Sequence, residues 1–167
     1  IDFIDQPADL GFDCPLDVHC TYTRDQLLVA LDFNKPATVR EGVKWLPDKQ
    51  SDVFFVTLNK ADKDYSPTTM YQDYSINETL FHWQSQSTTA ENSPTGQRYI
   101  HHRKLGTKIL LFVRQFKTDL AGAAPYTFLG TANYVKHQGS RPMSITWKLD
   151  VPIPAKYLKK TNKLVVG

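Results

Sequence analysis

Pro142-Met143-Ser144-Ile145-Thr146-Trp147-Lys148-Leu149 sets Met143, Ile145, Trp147 and Leu149 at alternate positions, with Ser144, Thr146 and Lys148 between them. Successive side chains of an extended chain point to opposite faces, so this pattern is a strand with one face in a core and one in water. The turn-forming run Gln138-Gly139-Ser140-Arg141 precedes it, and before that run lies the strand-like stretch Tyr126–His137. The two arms read as a β-hairpin.

Upstream, Ile109-Leu110-Leu111-Phe112-Val113 is the longest apolar run; flanked by Lys108 and Arg114, it makes Lys108–Phe116 a central strand. It falls far short of the ~20 apolar residues of a membrane span, and no membrane partner is expected. Asp52–Leu58 is β-rich and follows a turn at Pro47-Asp48 that ends Val39–Leu46. Thr79–Ser87 alternates Leu80/His82/Gln84/Gln86 against Phe81/Trp83/Ser85/Ser87, so each face carries aromatic groups followed by polar ones. Asn59–Pro67, Ser87–Thr95 and Gly122–Pro125 are polar or turn-rich loops.

One segment, Thr21–Leu31, has a strong helix signature. Thr23 suits the N-cap, Asp25 and Gln26 fall in the first turn, and Leu27, Leu28 and Leu31 recur at helical spacing. A short helix or turn is expected at Gly96–Lys104, and Pro152 and Pro154 end the sheet before a short basic tail. About six strands, one or two helices and no βαβ alternation predict a mainly β, α+β domain. Its sheet should be strongly curved or a pseudobarrel.

The 167 residues fit one domain, and 41% apolar content with 9 Phe, 8 Tyr and 3 Trp excludes a disordered tail. Residues 1–20, with Asp2, Asp5, Asp9, Asp13 and Asp17 among Pro7, Gly11 and Pro15, read as an acidic linker or strap. Residues 21–167 form the expected single recognition domain. The chain begins at Ile1 without a signal pattern and is expected to be the C-terminal part of something larger. Cys14 and Cys20 are expected as free thiols of a cytoplasmic protein.

Charge is divided along the chain. Residues 1–80 carry 14 Asp/Glu against 7 Lys/Arg, and residues 81–167 carry 3 against 13, which together give the net +3. A basic C-terminal half points to a polyanion, with nucleic acid first. Arg98-Tyr99-Ile100-His101-His102-Arg103-Lys104, with Lys108 and Arg141, supplies the candidate phosphate contacts: Arg98, His101, His102, Arg103, Lys104, Lys108 and Arg141. The alternative is an ordinary solvated basic turn.

A candidate base or modification pocket comes from Phe81, His82, Trp83, Gln84 and Gln86, whose rings would stack on a planar base while the amides read its edge. Tyr71 and Tyr74 would wall it. The competing readings are an edge strand with its rings in the core, and tyrosines that merely cover the sheet edge. The turn His137–Pro142 is a further candidate for insertion into a groove. Catalysis has little support: there is no glycine-rich phosphate loop and no serine elbow. Cys14, His19, Cys20, His101 and His102 lack the paired spacing of zinc sites, so neither metal nor cofactor is expected.

Tyr22–Asp25, Arg40–Val43, Asp52–Lys60, Ser66–Tyr74, Leu80–Ser87, Pro94–Tyr99, Phe128–Gly130 and Gly139–Met143 together carry a family resemblance. Over roughly residues 20–167 the chain resembles the uncharacterised C-terminal domain of bacterial proteins that join a phospholipase-D-type nuclease to a superfamily-2 helicase. Phe81–Ser87 is its most specific part. The resemblance implies restriction-like or phage-defence enzymes, with the nuclease and helicase of the parent chain as partners. Pseudobarrels of the SRA and PUA-like type enter only by analogy. The expectation is a non-catalytic domain that binds duplex DNA, plain or modified; the alternative is a protein-docking module of the same parent.

Overall fold

Among the residues that the computed structural model describes (14–39, 42–59 and 73–158), the chain order is β1 (Thr21–Tyr22), α1 (Arg24–Ala30), β2 (Val43–Leu46), β3 (Ser51–Asn59), β4 (Tyr74–Ser75), β5 (Leu80–Gln84), α2 (Pro94–Ile100), α3 (His102–Leu105), β6 (Lys108–Phe116), β7 (Thr118–Asp119), β8 (Gly122–Ala123), β9 (Tyr126–Gln138) and β10 (Ser144–Leu149). Tyr71, most of the acidic N-terminal stretch and the basic tail lie outside the described residues.

The main sheet runs β2-β3-β6-β9-β10-β5-β4, with β1 beside β9. β3 and β6 are parallel and every other neighbouring pair is antiparallel. A parallel pair needs a crossover, and here it carries β4, β5, α2 and α3. The hairpin expected of residues 126–149 is β9 and β10.

β9 links the two halves of the sheet. Thr127–Thr131 pairs with β6 and Ala132–Gln138 with β10, so one strand serves both halves of the sheet. Two register shifts interrupt it. Leu129 is extra against β6, next to Gly130 at φ +93°, and Val135 is extra against β10. Each bulge bends the strand and tightens its twist. The sheet is mixed and belongs to a mainly β fold, as expected, but among the described residues it does not close into a barrel: β2 and β4 end the path. Among the described residues ten strands replace the expected six or so, because β1, β4, β7 and β8 have two residues each, too short to leave a pattern in the sequence.

The two central strands are covered on both faces. On one, Phe54, Val56, Leu58, Ile109, Leu111 and Val113 meet Phe81, Trp83, Met143, Ile145 and Trp147, with Tyr99 of α2 packed over them. On the other, Val53, Phe55, Leu110 and Phe112 meet Leu27, Leu28 and Leu31 of the α1 region. α1 starts as expected: Gln26 N–H donates to the Thr23 hydroxyl (3.1 Å) and Thr23 N–H donates to the Gln26 side-chain oxygen (2.9 Å), a reciprocal cap.

The strap does not end at residue 20. Leu16 is buried in the α1-side core, His19 N–H donates to the Phe128 carbonyl (2.6 Å), and Phe128 N–H donates to the Cys20 carbonyl (3.0 Å). These residues are an integral part of the domain. Leu16 escaped notice because a single leucine among aspartates has no period.

Candidate nucleic-acid interface

β4, β5, β10 and the end of β9 form an antiparallel platform whose register aligns Tyr74, His82, Thr146 and Lys136 in one row across four strands. Gln84, Ser144 and Gln138 make the adjacent row. Because Phe81, Trp83, Ile145 and Trp147 point into the core, strand alternation turns His82, Gln84, Ser144, Thr146 and Lys148 to the other face. A groove of about 530 Å³ lies there, lined by Tyr74, Ile76, Leu80, His82, Val135, Lys136, His137, Gln138, Ser144 and Thr146. Tyr74 and His82 are stacked, with centroids 4.8 Å apart and planes 16° apart. Among the described residues the lining contains one lysine, two histidines and no carboxylate.

Phe81 and Trp83 are not pocket residues. They are 1% and 3% exposed, and Trp83 stacks on Phe54 at 4.0 Å inside the core. The rings expected to stack on a ligand are consumed by packing, since an inward aromatic gains more from the core than from water. Tyr74 and His82 do meet on the outward face, and Gln84 lies beside them, its N–H bonded to the Asp73 carboxylate (2.9 Å). Gln86 is exposed beyond the end of β5. Tyr71 is outside the described residues.

The expected phosphate cluster is divided. Arg98 donates to both oxygens of Asp52 (2.8 Å each) and lies 4.2 Å from the Trp45 ring centroid. Asp52 is fully buried; burial pushes its carboxyl up, and the Arg98 bonds oppose that shift. A guanidinium fixed by a buried bidentate carboxylate and covered by an indole is a structural group, which corrects its assignment as a phosphate ligand.

His102 is likewise structural. Its Nε2 accepts from Tyr134 N–H (3.0 Å), Nδ1 lies 3.4 Å from the Thr107 carbonyl, and burial lowers its pKa. The ring is therefore neutral. Arg103 donates to the Tyr134 carbonyl (3.1 Å), so α3 seals the β9 edge where that strand has left β6. His101 and Lys104 are exposed on the same helical layer. That layer covers the inner side of the sheet, opposite the groove. Lys108 is half-buried at the start of β6, and Arg141 is exposed at the hairpin tip, its N–H donating to the Thr89 carbonyl (2.9 Å).

Sequence reasoning missed Lys136, Gln138, Ser144 and Thr146 as groove residues. The alternation of Ser144, Thr146 and Lys148 signalled an outward face, but only cross-strand register joins it to Tyr74 and His82. It also missed the chain Tyr134 Oη–His137 Nδ1 (2.7 Å) and His137 Nε2–Glu91 Oε2 (2.7 Å). With the Glu91 N–H bond to Ser140 Oγ (3.0 Å), this chain fastens the hairpin tip to the loop before α2. The tip is thereby braced against its own domain, and the proposed insertion of His137–Pro142 gains no support. Among the described residues no three His, Cys, Asp or Glu side chains are grouped to hold a metal ion.

The domain is thus a mainly β fold on a mixed sheet, with helices over its inner layers and a groove on one outer face. Residues 16–160 match the domain of unknown function DUF3427, and the chain belongs to that family. Comparison with curated proteins finds no match.

Proposed function

We propose that this domain is a non-catalytic DNA-binding accessory module of a cytoplasmic bacterial protein that joins a phospholipase-D-type nuclease to a superfamily-2 helicase in restriction-like defence. The groove face meets the DNA and is where a modified nucleotide would be read. The row Tyr74–His82–Thr146–Lys136 carries the reading. It combines a stacked aromatic pair, a hydroxyl and a cation along a groove with no carboxylate among its described lining residues, with Lys148 outward on the next strand position of that face. Stacking surface, hydrogen-bonding groups and phosphate-neutralising charge are what such binding needs.

Fluorescence anisotropy with labelled DNA over a salt series tests the proposal. Affinity should fall steeply with salt, and Lys136→Ala/Lys148→Ala should reduce the log–log salt slope by about 1 to 2, since each phosphate contact contributes close to one unit. Methylated, hydroxymethylated, glucosylated and phosphorothioate oligonucleotides then test modification reading. Salt-independent binding, or no binding, would overturn the proposal.

A second reading, docking on the parent nuclease–helicase, is favoured by Ile76 and Val135, which stand 42% and 46% exposed at the same groove. Ile76→Ser/Val135→Ser should abolish capture of the helicase fragment under that reading. Under the DNA reading these changes leave capture untouched.

A further inference from the structure

We infer that the groove accepts an unpaired nucleotide, either from a single strand or extruded from a duplex; this rests on the DNA-binding reading above. The first argument is shape. Reading base edges inside an intact duplex takes an element that protrudes into a groove of the DNA, such as a helix or a two-stranded ribbon. Here the polar row is recessed in the sheet face. Its four strands span about 14 Å at ~4.8 Å per strand spacing, which suits one splayed nucleotide and not the body of a duplex.

Chemistry points the same way. Tyr74 and His82 already form a parallel stack, and a planar base is the group that extends such a stack. Along the row, Thr146 offers a hydroxyl, and Ser144 and Gln138 in the adjacent row offer donors and acceptors for a base edge. Lys136 closes the row with the charge a phosphate requires. Ile76, Leu80 and Val135 add the apolar lining that an unstacked base prefers to water. These groups are satisfied together only by a base whose face and edge are both exposed, and pairing within a duplex hides both.

The test compares a labelled 12-nucleotide single strand, the continuous duplex of the same sequence and that duplex with one bulged nucleotide. All three are titrated with the 167-residue chain. The single strand, the bulged duplex or both should bind at least ~10-fold more tightly than the continuous duplex, and which of the two does so identifies the source of the nucleotide. His82→Ala should weaken that binding roughly 5- to 100-fold, the range of one base–aromatic stack, and weaken continuous-duplex binding by a smaller factor. His82→Phe, which keeps a ring, should restore most of it and separates lost stacking from lost folding. Equal binding of all three DNAs, or indifference to His82→Ala, would overturn this inference and leave the DNA-binding reading standing. Failure of all three DNAs to bind would overturn both.

Discussion

Phe81 and Trp83 share β5 with His82 and Gln84, yet the two pairs have opposite fates. The inward pair lies in the core, where Phe54, Trp83, Tyr99 and Trp147 meet within 6.3 Å of one another. The outward pair borders an open groove with a hydroxyl, an amide and a lysine. One face carries stability and the other is available for recognition. The basic residues divide in the same way: Arg98 and His102 are bound into the domain, whereas Lys136 and Lys148 point outward.

The comparison breaks first if the inward ring is dispensable. Trp83→Ala should cost about 3–5 kcal/mol in urea unfolding, the usual effect of emptying a large aromatic site in a packed core. Next, Arg98→Ala should destabilise by about 3 kcal/mol, because it leaves the Asp52 carboxylate buried without its partner. Any DNA-binding loss in that variant should therefore track unfolding, and a well-folded Arg98→Ala that has lost DNA affinity would overturn the division drawn above.

The third effect is pH-dependent. Burial lowers the folded-state pKa of His102, so the unfolded chain takes up the proton first as pH falls. The stabilisation is fully present above ~6.5, the unperturbed histidine value, and is lost progressively as pH drops below it towards the folded pKa. Protonation also removes the Nε2 lone pair that accepts Tyr134 N–H. Thermal melts between pH 7.5 and 5 should show that slope in the wild type and a flatter one in His102→Gln. The smallest effect belongs to the outward face: Lys148→Ala should change stability by less than about 0.5 kcal/mol while still lowering the salt slope of DNA binding.

Much of the fold is legible from local pattern. The alternation in Met143–Leu149, the apolar run at 109–113 and the Thr23 cap each report an environment through spacing alone, and each matches an observed element. The candidate site was legible only in part. His82 and Tyr74 carry a visible aromatic and polar signal, but Phe81 and Trp83 carry an equally strong one. The sign of each face of β5 depends on what packs against it. For Arg98 the deciding partner, Asp52, is 46 residues away in another strand.

The sequence by itself determined the longer elements and the charge division, because hydrophobic period, capping and turn chemistry act over a few neighbouring residues. Tertiary structure alone decided which basic residues face solvent and which rings are buried. It also brought Tyr74, His82, Thr146 and Lys136 into one row. That row is a product of register across four strands and of the bulge at Val135, and register is set by long-range pairing that no local stretch of chain encodes.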